Sequence, residues 1–300
     1  MRLGDLRERV VEFWFGSEPH VNVIATRVLL AASALWIILS RRDLPGVLSL
    51  PNAVWQTIPL QQRIRFLIVM PLGVERVLWL VLHIALVTAL LGYWSRWSCF
   101  VAGLLLYHFG PFETILWTPN PYLRGFTLPS LGLLILAFAN GGSSPNSAWA
   151  LRLIQVLFSQ IYFFAGYSKL LASGLAWLNE QNIRRYLEGL DQSLGFSTEP
   201  TLAHALAKFP WICSAIAVAG LLFELAFPVV LFSRRLRRIF IPAAFFFHLA
   251  NWLVFHIYFQ NVFLLLIFVN WDWVVARLIA ARYDQRGPNE KEIEWVNSSG

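Results

Sequence analysis

Eight long apolar runs dominate this chain, and they leave it few folds to choose from. They cover roughly Val21–Leu39, Gly73–Tyr93, Trp97–Ile115, Leu123–Asn140, Trp149–Leu171, Trp211–Phe232, Ile239–His256 and Phe259–Ala276. Each is about 18–23 residues long, enough at 1.5 Å per residue to cross a hydrocarbon layer about 30 Å thick. A backbone exposed to lipid must satisfy its own hydrogen bonds, so helices are expected. The runs lack the alternation of a barrel strand. The expected fold is therefore all-α, a polytopic transmembrane bundle of about eight spans.

Composition agrees. Hydrophobic residues make up 57% of the chain and charged residues 14%, against about 25% charged in soluble domains. Mean hydropathy is +0.58. Fourteen tryptophans suit interfacial aromatic belts. The net charge of +7 is explained by arginines in cytoplasmic loops, so nucleic acid is not an expected partner and membrane lipid is. The two cysteines, Cys99 and Cys213, form no CxxC pair, and no histidine spacing fits a zinc motif, so no metal is expected.

The organisation is expected to be simple. Residues 1–18 mix charge and apolar residues at helical spacing, as an amphipathic surface helix would. Residues 19–278 hold the spans, and 279–300 form a polar tail. No internal repeat is visible. A small-solute transporter is expected to show repeat symmetry and paired broken helices, and neither is apparent. The densest basic cluster, Arg234, Arg235, Arg237 and Arg238, marks the cytoplasmic end of span six. Eight spans then place both termini in the cytoplasm, within a bacterial cytoplasmic membrane.

One residue in these runs demands a reason. Lys169 sits near the end of the fifth, in Gln160-Ile161-Tyr162-Phe163-Phe164-Ala165-Gly166-Tyr167-Ser168-Lys169-Leu170-Leu171. An ammonium there must reach the interface, find a partner or give up its proton. Snorkelling to the interface is one outcome; a lysine kept from water can instead serve as a base. Gln155, Tyr162 and Lys169 recur every seven residues, with Ser159 and Gly166 on the same side, which makes one polar face.

Other polar residues inside the runs are candidates too. Glu224 in span six needs a cation or a proton, and Arg27 in span one is the expected partner in a structural ion pair. His248 and Asn251 share a face of span seven, which also holds His256, with Gln260 just beyond, and His108 and Glu113 lie in span three. His108, His248, Asn251 and Gln155 are candidate substrate-binding residues.

Taken in order, these residues resemble a known family. Arg27 opens span one, Tyr162-Phe163-Phe164-Ala165-Gly166-Tyr167-Ser168-Lys169 and Trp177 mark span five, and Phe223-Glu224-Leu225-Ala226-Phe227-Pro228 marks span six, before the arginine cluster and His248. The pattern looks like the horizontally transferred transmembrane (HTTM) domain, related to vitamin K-dependent gamma-glutamyl carboxylase, over about residues 20–278. The resemblance implies that Lys169 deprotonates a reduced quinone such as vitamin K hydroquinone. Oxygen then makes a strong base of it, which removes a proton from a glutamate side chain so that carbon dioxide can add. Lys169, Tyr162 and His256 are the catalytic candidates on this reading.

Two departures weigh against carrying the carboxylase reaction over whole. Asn120, in Trp117-Thr118-Pro119-Asn120-Pro121-Tyr122, stands where the carboxylase has a further catalytic histidine. Asparagine is no ordinary proton carrier. Trp117 and Asn120 are instead candidate substrate contacts. The residues after 278 also leave no home for the carboxylase's extramembrane region. The alternative is a non-enzymatic membrane factor that binds, matures or exports a small peptide.

Overall fold

The structure, a computed structural model, describes residues 3–40, 70–116, 125–139, 148–193, 202–255, 257, 259 and 261–285. Every regular element among them is helical. The order is α1 (Leu3–Phe15), α2 (His20–Ser40), α3 (Leu72–Leu91), α4 (Ser95–Leu116), α5 (Thr127–Phe138), α6 (Ala148–Ser173), α7 (Glu180–Ser193), α8 (Leu202–Ala207), α9 (Pro210–Ala226), α10 (Arg234–Phe255) and α11 (Trp271–Gln285). Three 3-10 segments extend them: Gly174–Leu178 after α6, Phe227–Leu231 after α9, and Val262–Phe268 before α11.

The expected count of eight spans is not what these helices show. Five are long and apolar enough to cross a membrane: α2, α3, α6 with its 3-10 extension, α9 with its extension, and α10. The pair Val262–Phe268 and Trp271–Arg282 would add a sixth, but it is bent by 83°. The break falls at Asn270-Trp271-Asp272, where polar side chains meet a capping residue from another helix. The Asn22 Oδ1 accepts the N–H groups of Trp271 (2.7 Å) and Asp272 (3.2 Å), satisfying donors that open α11. α4 has the length but carries Arg96, His108 and Glu113. α5 has 12 residues, about 18 Å of helix.

α2 is the hub. It packs on α3, α5, α6, α11 and the Val262–Phe268 segment, and Leu30, Ala31, Ala34, Ile37 and Ile38 are wholly buried there. Around it α3 packs on α4, α4 on α5, α5 on α6, and α6 on α9. Small residues set the closest approaches, as is usual where lipid offers no hydrophobic drive between helices. A β-carbon on Gly103 of α4 would stand 2.9 Å from the Ser130 carbonyl oxygen of α5, and the Ser130 hydroxyl donates back to the Gly103 carbonyl at 2.8 Å.

α7 and α8 form a small satellite on α9. Ile183 and Leu187 of α7 are buried with Ala203, Ala207, Cys213 and Ala217. α1 packs on α6, and Phe13 stacks on Phe232 with ring centroids 5.7 Å apart.

Polar contacts inside the bundle fall at two depths. Near the starts of α2 and α6, the Arg152 guanidinium bonds Glu18 at 2.7 Å, and the Asn22 amide donates to Glu18 at 2.7 Å. Further in, Ser33, His108, Tyr162 and His248 lie 13 or 14 residues from the starts of α2, α4, α6 and α10. That is about 20 Å along each axis, and Lys169, 21 residues from the start of α6, lies about 10 Å beyond Tyr162.

Candidate functional site

The site is built on α6. Its buried face carries Gln155, Ser159, Tyr162 and Gly166, with Lys169 at the edge. At one end, the Arg152 guanidinium donates to Gln155 Oε1 at 3.1 Å, and the Gln155 amide donates to the Ile267 carbonyl at 3.0 Å. At the other end, the Lys169 ammonium bonds both Glu224 oxygens at 2.5 Å.

This corrects the expected ion pair. The cation on Glu224 is Lys169, not Arg27. The expectation treated α6 as ending near Leu171, which put Lys169 at the membrane surface. The helical segment in fact continues to Leu178, so Lys169 lies about 13 Å from its end. α6 and α9 run antiparallel, with Phe158 against Phe227 and Tyr162 against Phe223. Helical side chains lean toward the helix N-terminus. On antiparallel neighbours the two therefore lean toward each other and meet. Arg27 lies at the other depth, against the turn that closes α3. A β-carbon on Gly92 would stand 2.7 Å from its Nη2.

Gly166 makes the pairing possible. Its Cα faces Glu224, and an added β-carbon would sit 3.1 Å from both Glu224 Cβ and Leu225 Cγ. The two helices approach here because nothing projects between them. The Glu224 side chain is 7% exposed and that of Lys169 is 26% exposed, so the carboxylate is the sealed partner and the amine the reachable one. Trp177, carried on the 3-10 extension, places its ring 5.4 Å from Nζ, a cation–π distance. Phe163, Phe164 and Tyr167 contact one another on the exposed side of α6.

A second pair lies two turns back along α6. The Tyr162 oxygen is 2.5 Å from His248 Nε2. The phenol stacks on Phe227 at 4.0 Å, and the imidazole lies 4.4 Å from the Phe259 ring. Among the described residues, His248 Nδ1 and the Ser159 hydroxyl are buried without a hydrogen-bond partner. Phe158, Phe223, Phe240, Phe247 and Phe268 complete an aromatic wall around this pair.

The remaining candidates separate. The Asn251 amide donates to the Phe247 carbonyl of its own helix at 2.9 Å. His108 Nε2 lies 2.8 Å from Glu75 Oε2, between α3 and α4 and away from the α6–α9 seam. Trp117, Asn120, His256 and Gln260 lie outside the described residues. Sequence reasoning passes over Glu75, although a carboxylate in the first turn of an apolar helix is a visible signal. It also passes over Asn22 and Asn261, whose roles need the tertiary contacts. Asn261 donates to the Gly125 carbonyl at 3.0 Å and accepts from Ser33 at 3.0 Å.

Chemically, the Lys169–Glu224 pair holds one proton between an amine and a carboxylate. With the proton on the carboxyl group, the amine is a free base at the accessible edge of a water-poor site. With the proton on nitrogen, the pair is a neutralised ion pair. The aromatic surroundings suit a flat apolar ring better than a polar solute.

A family model described as the HTTM domain matches residues 22–273. No match is found to curated proteins or to solved structures. The matched span takes in α2 through the start of α11, and so includes Lys169, Glu224, Tyr162 and His248. With most of its length matched and its apolar helices in place, this chain is an integral membrane protein that belongs to the HTTM domain family.

Proposed function

We propose that the protein is a membrane-embedded acid–base catalyst in which the Lys169 amine removes a proton from a lipid-soluble acid, with Glu224 as the partner that holds the amine in place and shares its proton. The observation that carries this is the bidentate Lys169–Glu224 contact, made by a sealed carboxylate and a reachable amine.

The acid is a quinol or a similar isoprenoid hydroxyl compound that reaches the site from the bilayer. Such a ligand supplies a weakly acidic hydroxyl on an aromatic ring. The residues present fit it: Trp177 offers flat apolar surface, and Lys169 offers the proton acceptor. Glu224 carries the pair's proton while the amine is free and stays neutral as the ammonium forms, so the new positive charge is balanced by the quinolate anion left beside it. Tyr162 and His248 form a neighbouring hydrogen-bonding pair that can orient a ring substituent. Whether a peptide glutamate is the final acceptor is a finer proposal resting on the resemblance to the carboxylase.

The test is turnover by the purified protein in lipid nanodiscs, supplied with vitamin K hydroquinone, oxygen and a glutamate-containing peptide. Epoxide formation and incorporation of labelled carbon dioxide are followed in parent and Lys169→Ala. The expected result is turnover that falls at least about a hundredfold in the variant, the usual scale for losing a general base. Equal turnover in both would overturn the assignment. The second reading, a peptide-binding factor without chemistry, is favoured by Asn120 standing at the carboxylase histidine position. It predicts no turnover in the parent, together with capture of a small peptide.

A further inference from the structure

We infer that α11 is a membrane-docking arm, lying in the plane of the bilayer with Val275, Leu278 and Ile279 set into the lipid surface of one leaflet. Its direction follows from the segment that precedes it. Asn261 bonds Ser33 of α2 at 3.0 Å, and Asn270 bonds Asn22 of α2 at 3.4 Å. Ser33 and Asn22 are about 16 Å apart along α2. Val262–Phe268 therefore runs antiparallel to α2 and along the bundle, with Leu264, Leu265, Ile267 and Phe268 buried. α2 itself is long and apolar enough to cross a membrane. α11 turns 83° away from Val262–Phe268, so it leaves the bundle nearly at right angles to the spans.

The turn is built into the fold. Asn22 Oδ1 accepts the Trp271 and Asp272 N–H groups. The Trp271 indole N–H donates to the Leu266 carbonyl at 2.9 Å, and Asn270 Oδ1 accepts the Trp273 N–H at 3.4 Å. Side chains thus satisfy donors that a continuing helix would have satisfied itself, so one segment ends and a new helix begins. α11 has 15 residues. At about 22 Å it is too short to cross a hydrocarbon layer of about 30 Å unaided.

The side chains suit a lipid surface. Every residue from Val275 to Arg282 is exposed. Val275, Leu278 and Ile279 fall at i, i+3 and i+4, which makes one apolar stripe. Trp273 and Arg277 lie on the other side, with the guanidinium 5.3 Å from the indole ring, a pairing at home among headgroups. A helix lying on a bilayer sets such a stripe at the boundary of headgroups and acyl chains. The level is right as well. Asn22 ties the start of α11 to Glu18 and Arg152, where the spans α2 and α6 begin.

Spin labelling of the full chain in phospholipid bilayers tests this without any turnover, so its outcome is independent of the proposed function. Nitroxides are attached singly in Val275→Cys, Leu278→Cys, Ile279→Cys, Ala276→Cys and Ala280→Cys. These sites are exposed, so the substitutions leave the core packing alone. The native Cys99 and Cys213 are buried, and parent protein treated alike supplies the background. Collision rates are measured with oxygen, which concentrates in the bilayer, and with a water-soluble nickel chelate. The expected result is that labels at Val275, Leu278 and Ile279 favour oxygen and share one depth, while those at Ala276 and Ala280 shift toward nickel. A depth that changes by about 6 Å from Val275 to Ile279 would make α11 part of a crossing span and overturn the inference. Nickel access at all five sites would place the helix in water and overturn it too. Spin–spin broadening that dilution with unlabelled protein removes would assign the stripe to a second copy of the chain, against the lipid surface.

Discussion

Lys169 and Glu224 need each other for different reasons. The carboxylate is sealed and would be left as an uncompensated charge without the amine, whereas the amine has an open side. Removing one partner of a buried pair costs about 3–5 kcal/mol, while replacing both with apolar residues is often neutral. Lys169→Met is therefore expected to lower stability by about 3 kcal/mol, and Lys169→Met with Glu224→Leu to recover most of it, as measured by denaturation in detergent micelles. A double variant no more stable than the single one would show that the pair is not coupled. Arg27→Met should leave this coupling unchanged, because its guanidinium lies at Gly92. The lysine itself was legible as a residue needing a reason. Its partner was not, since choosing among carboxylates required knowing that a 3-10 segment carries α6 on to Leu178 and that α9 packs antiparallel beside it.

At the scale of elements, two glycines do work that no other residue can. Gly92 closes α3 with φ +85, a left-handed conformation that costs other residues about 1–2 kcal/mol. Its Cα also lies against Arg27. Gly92→Val is expected to lower the melting temperature and disturb the α3–α4 turn. Gly166 has an ordinary helical backbone, and its role is distance. Gly166→Leu should wedge α6 from α9, cost about 1–3 kcal/mol as overpacking does, and abolish Lys169-dependent turnover even though both charged residues remain. Turnover surviving in a folded Gly166→Leu would mean the close approach is dispensable. Apolar run length located the helices well: α2, α3, α4, α6, α9 and α10 begin within a few residues of the expected runs. It could not foresee that the last run breaks, because the cause is a contact between Asn22 and Trp271, two residues at opposite ends of the sequence.

For the whole molecule, the two depths of polar contacts make a consistent picture. The shallow layer ties the starts of α2, α6 and α11 together through Glu18, Asn22, Arg152 and Asn270. Deeper lie Tyr162–His248 and, two turns further along α6, Lys169–Glu224. We propose that the shallow layer faces the cytoplasm, as the arginine cluster at the start of α10 suggests. Asn22 contacts both Asn270 and Trp271, so α2 and α11 begin at the same end. Reporter fusions at residues 1 and 300 should accordingly both read cytoplasmic in bacterial cells; a periplasmic signal from either would reverse or break this topology. The all-helical class and the membrane location could be read from apolar run length alone. The number of crossings could not, because α4 is long but polar in places and α5 is short, and both are held by neighbours as well as by their own hydropathy.

The account turns on the amine of Lys169 acting as the base, and chemical rescue reads that role most directly. Lys169→Ala protein in nanodiscs is given vitamin K hydroquinone and oxygen, with and without small primary amines of graded basicity. The account predicts that amines restore turnover, and that the restored rate rises with amine basicity at constant size. A variant that is folded, inactive and insensitive to every amine would contradict it, as would one that needs no amine at all.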